Sequence, residues 1–121
     1  MKKYLVIMIL VGITFLTMGT PLSVNAKTIH GNISWYNGVG KVGYHGKVLG
    51  NWDCATKISG DNPPKGTKIT AKSNAKPLKQ ITVYKWDVGT LPLAVLDVSP
   101  TAFQALGYST STGLVAGQYS Y

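Results

Sequence analysis

Glycine and proline punctuate residues 31–117 about every eight to twelve residues, and that rhythm confines the chain to short strands joined by turns. Residues 31–37 (GNISWYN) alternate well enough for a strand. Residues 38–50 hold five glycines and read as a turn-rich excursion or a tight hairpin. A short strand is expected at 54–58, a loop at 59–66 (SGDNPPKG), and cleanly alternating strands at 67–72 and 80–86. In the second of these, Ile81, Val83 and Lys85 share one face, and Thr82, Tyr84 and Trp86 the other. The apolar run at 93–96 predicts a strand buried on both faces, and 114–116 with the Tyr-rich end predicts the last strand. One helix is well specified. Ser99 suits the N-cap, Pro100 the first helical position and Gly107 a left-handed C-terminal close, with Phe103 and Leu106 on its apolar side. Six or seven short strands with one short helix predict a small all-β barrel.

The start of the chain belongs to a different class of segment. Lys2 and Lys3 precede an apolar run from Tyr4 to Met18, and Val24, Asn25 and Ala26 supply a small-residue cleavage site. The run is shorter than the roughly 20 apolar residues that span a membrane, so residues 1–26 are expected to be a cleaved signal peptide, not an anchor. The mature domain is then 27–121, exported, without stable membrane insertion and monomeric. Cys54 is the only cysteine, so no intrachain disulfide is possible, and a buried apolar role is expected for it. The formal net charge of +8 falls to +6 when Lys2 and Lys3 are removed. Every cation is Lys and every acid is Asp: Asp53, Asp61, Asp87 and Asp97. Outside a cell such a chain meets anionic wall polymers, acidic glycans and headgroups, and nucleic acid is not an expected partner. The same lysines also serve as a plain solubility device. His30, His45 and Cys54 match no zinc spacing, so neither a metal site nor a cofactor is expected.

Three stretches carry a family resemblance. GNISWY at 31–36, PKGTKI at 64–69, and LDVSPTAF at 96–103 followed by Leu106 and Gly107 resemble the double-psi β-barrel of expansins and rare lipoprotein A. They fall in the family's order and span nearly all of 27–121. YHGK at 44–47 is similar to the aromatic-His-Gly-Arg stretch of the rare lipoprotein branch. ITVYKWD at 81–87 is similar to the strand that delivers the first Asp in bacterial expansins. The resemblance implies an all-β, six-stranded double-psi barrel with one short helix. It also implies a polysaccharide face built on Ser34, Asp87 and Asp97, flanked by Trp35, Tyr36, Tyr44 and Trp86.

Two neighbouring carboxyls push one pKa up, and aromatic faces suit sugar rings. Each residue has a plainer reading as well. Asp97 precedes the helix N-cap, where a carboxylate complements the dipole, and that leaves Asp87 as the better proton carrier. Ser34 fits an alternating strand, and Trp35 and Trp86 serve equally well as core. Relatives that cleave peptidoglycan carry a Glu and a His between the His-Gly-Arg stretch and the Pro-x-Gly-Thr turn. Residues 48–58 here (VLGNWDCATKI) have neither, and Asp53 is the only stand-in. The leading expectation is therefore a secreted, wall-associated module that binds and loosens polysaccharide, peptidoglycan or glucan, without hydrolysis. A lytic transglycosylase using Asp87 or Asp97, and an interaction or defence protein like the barwin and papain-inhibitor groups, are the alternatives.

Overall fold

The computed structural model describes residues 27–121; the signal peptide expected at 1–26 and its cleavage point lie outside the described residues. Six strands, β1 (Thr28–Trp35), β2 (Asp53–Lys57), β3 (Lys68–Ser73), β4 (Ile81–Gly89), β5 (Leu96–Val98) and β6 (Leu114–Ser120), close into one barrel in the order β1-β5-β2-β4-β3-β6. Two pairs, β1 with β5 and β2 with β4, run parallel, and the other four are antiparallel. This is an all-β, six-stranded barrel of double-psi-like topology, as the sequence leads one to expect. The helix α1 (Pro100–Ala105) and a 3-10 turn at Thr110–Thr112 complete it. Among the described residues no helix is long and apolar enough to cross a membrane.

Alternation decides what faces inward. Ile33, Ile69, Ala71, Ile81, Val83, Leu96, Val98, Val115 and Tyr119 form the core with Cys54, and Ala102 and Phe103 of α1 with its C-cap Leu106 close one side. Burying a side chain such as Phe103 contributes about 1.5–3 kcal/mol. Cys54 is fully buried, and burial pushes its thiol well above the ordinary range, so it packs as a small apolar residue. Lys85 lies on the inner face with Ile81 and Val83, its Nζ donating to the Pro63 carbonyl at 2.7 Å. Desolvation lowers its pKa, and the bond ties the 59–66 loop to the strand.

The capping signals of α1 hold in detail. Ser99 Oγ accepts from the Ala102 amide at 3.0 Å and donates to the Asn51 carbonyl at 2.6 Å. Gly107 sits at φ 100°, past the last turn, where a side chain would be strained. The expectation of a doubly buried strand at 93–96 is corrected: β5 is Leu96–Val98, and Leu93 is 71% exposed. Pro92 has no amide to offer a ladder, and Asn32 takes over the polar groups beyond it. Its Nδ2 donates to the Leu93 carbonyl, and its own carbonyl accepts from the Val95 amide. Residues 38–50 form the turn-rich excursion, held by a bridge between Val42 and Val48.

Candidate functional site: an aspartate face on the barrel wall

Register places one row of side chains across five strands. Ser34 on β1 pairs with Leu114 on β6 and with Asp97 on β5; Asp97 pairs with Ala55 on β2; Ala55 pairs with Asp87 on β4. Paired residues share a face, and here the flanking Ile33, Leu96 and Val98 are fully buried, so the row faces outward. Asp87 and Asp97 are thus two strands apart, roughly 9–10 Å between Cα atoms, with Ala55 as the floor. Asp87 joins the row through an irregularity. Cys54 opposes Lys85 but Ala55 opposes Asp87, so Trp86 is an extra residue in β4. Without that bulge the alternation from buried Lys85 would turn Asp87 inward.

The two carboxyls are held differently. Asp87 accepts on both oxygens, from the Tyr36 hydroxyl at 2.8 Å and from the Tyr44 amide at 2.7 Å. Burial and then Asp87 push the Tyr36 phenol far up, so it remains a donor. The approach of the 38–50 excursion to Asp87 depends on Gly43. A Cβ there would lie 2.9 Å from the Trp86 carbonyl oxygen and 3.3 Å from Asp87 Oδ1. Asp97 accepts one bond, from Ser34 Oγ at 2.9 Å, and is partly buried. Burial raises its pKa to about 6; the Ser34 bond lowers it and the Asp87 charge raises it further. Asp97 is therefore the carboxyl held toward its protonated form, against the expectation drawn from its place before the helix. Desolvation outweighs a dipole from a six-residue helix.

The aromatic candidates divide. Tyr36 joins the row through Asp87. Tyr44 is 67% exposed and stands edge-on to His45, with ring centroids 5.1 Å apart. Trp86 lies on the outer face beside Asp87, over Gly66, with Lys47 Nζ 5.9 Å from its ring centroid. Trp35 is not in the row: it pairs with inward Val98, packs against the core and donates its indole N–H to the Thr110 carbonyl. Asp53 is taken up by Lys47 at 2.6 Å and by the Gly50 amide. Residues 31–103 also supply groups that sequence reasoning passed over. Trp52 and Tyr84 are more than a third exposed and are joined through the Tyr84 amide and Trp52 carbonyl. Tyr84 was legible as an outward position of β4; Trp52 sits in a loop with no period to reveal it. His45 Nε2 is buried without a hydrogen-bond partner, and burial, then Lys85 and Lys65, lower its pKa. Among the described residues no three His, Cys, Asp or Glu side chains form a group able to hold a metal.

What the arrangement offers chemically is a half-buried polar row on the barrel wall. It has one carboxyl raised to about 6, one carboxyl held by two donors, a hydroxyl, the exposed Tyr44 ring and the half-buried Trp86 ring at the margin. No family model matches the chain. Among solved structures, the Streptomyces papain inhibitor superposes with a TM-score of 0.63 at 17% identity, covering 79% of this chain and 94% of that one. The apo expansin of Clavibacter michiganensis superposes with a TM-score of 0.62 at 22% identity over 78% of this chain, which spans 50% of the expansin. Both share the fold. In sequence, the chain is 60% identical over 120 residues to the uncharacterized protein YdjM of Bacillus subtilis (strain 168), covering 99% of this chain and 98% of that protein. At that identity and coverage, the chain belongs to the YdjM family.

Proposed function

We propose that the domain is a secreted, expansin-like barrel that binds wall polysaccharide and loosens it without hydrolysis. The observation that carries the reading is Asp97: a partly buried carboxyl raised to about 6, bonded to Ser34, on the outer row flanked by the exposed Tyr44 and the half-buried Trp86. A carboxyl so poised exchanges a proton with sugar hydroxyls or glycosidic oxygens near neutral pH. Hydrolysis by two carboxyls needs a second one free to act as base or nucleophile. Both oxygens of Asp87 are already occupied by donors, and Asp53 is paired with Lys47. The likeness to an expansin fold supports the polysaccharide reading. Export follows from the leader at 1–26, with cleavage after Ala26.

The test is pelleting with purified peptidoglycan and with cellulose, with the supernatant analysed for new reducing ends and anhydro-sugars. Pelleting without products, lost in Asp97→Asn, is the expected result. Products that vanish in Asp97→Asn mean a lytic enzyme, and no pelleting on either polymer removes the reading. A second reading is protein binding. The excursion exposes Val42, Tyr44 and Val48 side by side, and the papain inhibitor shares the fold over most of its length. Inhibition of a cysteine protease by the purified domain, abolished by Tyr44→Ala, favours it.

A further inference from the structure

Across the barrel from the aspartate face the wall has a different character. In the ring order β1-β5-β2-β4-β3-β6, the β5–β2 pair carrying Asp97 and Ala55 stands opposite β3–β6. Outward residues there fall on two rungs. Ser120 pairs with Thr70, and Thr70 with Thr82; Gln118 pairs with Lys72, and Gln80 precedes β4 beside it. Thr70, Lys72, Gln80, Gln118 and Ser120 line a half-open recess of about 120 Å³. All five are polar, one is a cation and none is an acid.

Lys72 is partly buried between Gln80 and Gln118, and among the described residues its ammonium has no carboxylate partner. Asp61, where the ends of β1 and β6 meet, is already taken by Lys27 and Tyr121. Two carboxamides and two hydroxyls line the recess with Lys72, each able to donate and accept, with Ser120 Oγ also 2.9 Å from Thr28 Oγ1. We infer that this recess is a second ligand site, taking an oxyanion carried on a hydroxyl-rich chain, such as a polyol phosphate or an acidic sugar. One ammonium matches one negative charge, and the amides and hydroxyls match flanking hydroxyl groups. The recess is well below the roughly 300–1,000 Å³ of a pocket that engulfs a whole ligand, so the charged group enters and the rest lies along the rungs. It has no aromatic platform, so it reads charge and hydroxyls where the aspartate face reads ring surfaces. Sites on opposite walls would make the barrel bivalent toward a polymer mesh.

The experiment titrates ¹⁵N-labelled domain with glycerol phosphate, glucuronate, inorganic phosphate and neutral glycerol. Amides of Thr70, Lys72, Gln118 and Ser120 are expected to shift together with glycerol phosphate or glucuronate, more weakly with phosphate, and not with glycerol. The better of the two anions identifies the source. Lys72→Gln and Gln118→Ala should each weaken binding about fivefold or more, the loss of one charge-assisted or amide contact, while Lys41→Gln and Asp97→Asn leave it within about twofold. Shifts scattered over all lysines, inorganic phosphate equal to the polyol anions, or Lys72→Gln no worse than Lys41→Gln would overturn the site. Loss of wall binding in Asp97→Asn with this titration intact separates the two faces.

Discussion

Replacing Asp97 with Asn should stabilise the domain above neutral pH and leave it nearly unchanged in acid. In the native state the carboxyl titrates at about 6 instead of its ordinary 3.8, because burial disfavours the charge. An acid that binds its proton more tightly when folded contributes a penalty that grows as pH rises from about 4 to about 6, then persists. Taken at full value, the difference is worth about 3 kcal/mol. The carboxyl is partly solvated, and screening brings the expected figure to about 1–2 kcal/mol. The helix dipole opposes it by about 0.3–1 kcal/mol, less than the burial effect. Asn keeps an acceptor for Ser34 and replaces the buried charge by an amide. Urea unfolding followed by Trp fluorescence at pH 8 should therefore show a gain of about 1 kcal/mol, with Tm higher by about 4–8 °C for a domain of this size. At pH 3.5 the two proteins should unfold together, and wall binding of the variant should be lost at every pH. An Asn variant that is less stable at pH 8 than at pH 3.5, relative to the parent, would refute the reasoning. The carboxylate would then be a stabilised ion at the helix start.

Asp87→Ala should release the 38–50 excursion, since the Tyr36 hydroxyl and the Tyr44 amide both lose their acceptor, whereas Asp87→Asn can accept from the Tyr44 amide and donate to a reversed Tyr36 hydroxyl. Faster hydrogen exchange at Tyr44, with a stability loss of about 1–3 kcal/mol, checks it. Ser99→Ala should cost about 1–2 kcal/mol in denaturant unfolding, because both the Ala102 amide and the Asn51 carbonyl lose a partner. Cys54 should resist alkylation by iodoacetamide in the native state and react only at the rate of global opening. Binding to anionic wall polymers should weaken severalfold as salt rises from about 0.1 to 1 M, where the Debye length falls from about 10 to 3 Å; binding to neutral glucan should not.

The barrel was legible in the sequence because the alternation in residues 67–72 and 80–86 and the caps of α1 are local properties. Lys85 shows how far the period carries: its place on the inner face follows from Ile81 and Val83 despite its charge. Two things escaped that logic. Residues 93–96 read as a strand from hydrophobicity alone, but Asn32, far along the chain, supplies the bonds that keep them irregular. The Trp86 bulge re-aims Asp87, and it depends on register against β2, which no single strand encodes. The pKa of Asp97 was missed for the same reason. Its place before Ser99 is local, while the burial that dominates it comes from β1 and β2.

The antiparallel partner of β1 is β6, and β6 also pairs with β3, so the closing seams of the barrel both run through residues 114–120. Lys27 and Tyr121 extend the same ladder, each amide bonding the other's carbonyl. A chain leaving the ribosome therefore cannot complete this barrel until residues 114–120 emerge. Contacts of such long sequence separation form slowly, and the incomplete sheet keeps unpaired edges at β1 and β3 until β6 is available. Topology alone thus postpones closure of the barrel until residues 114–120 have been made.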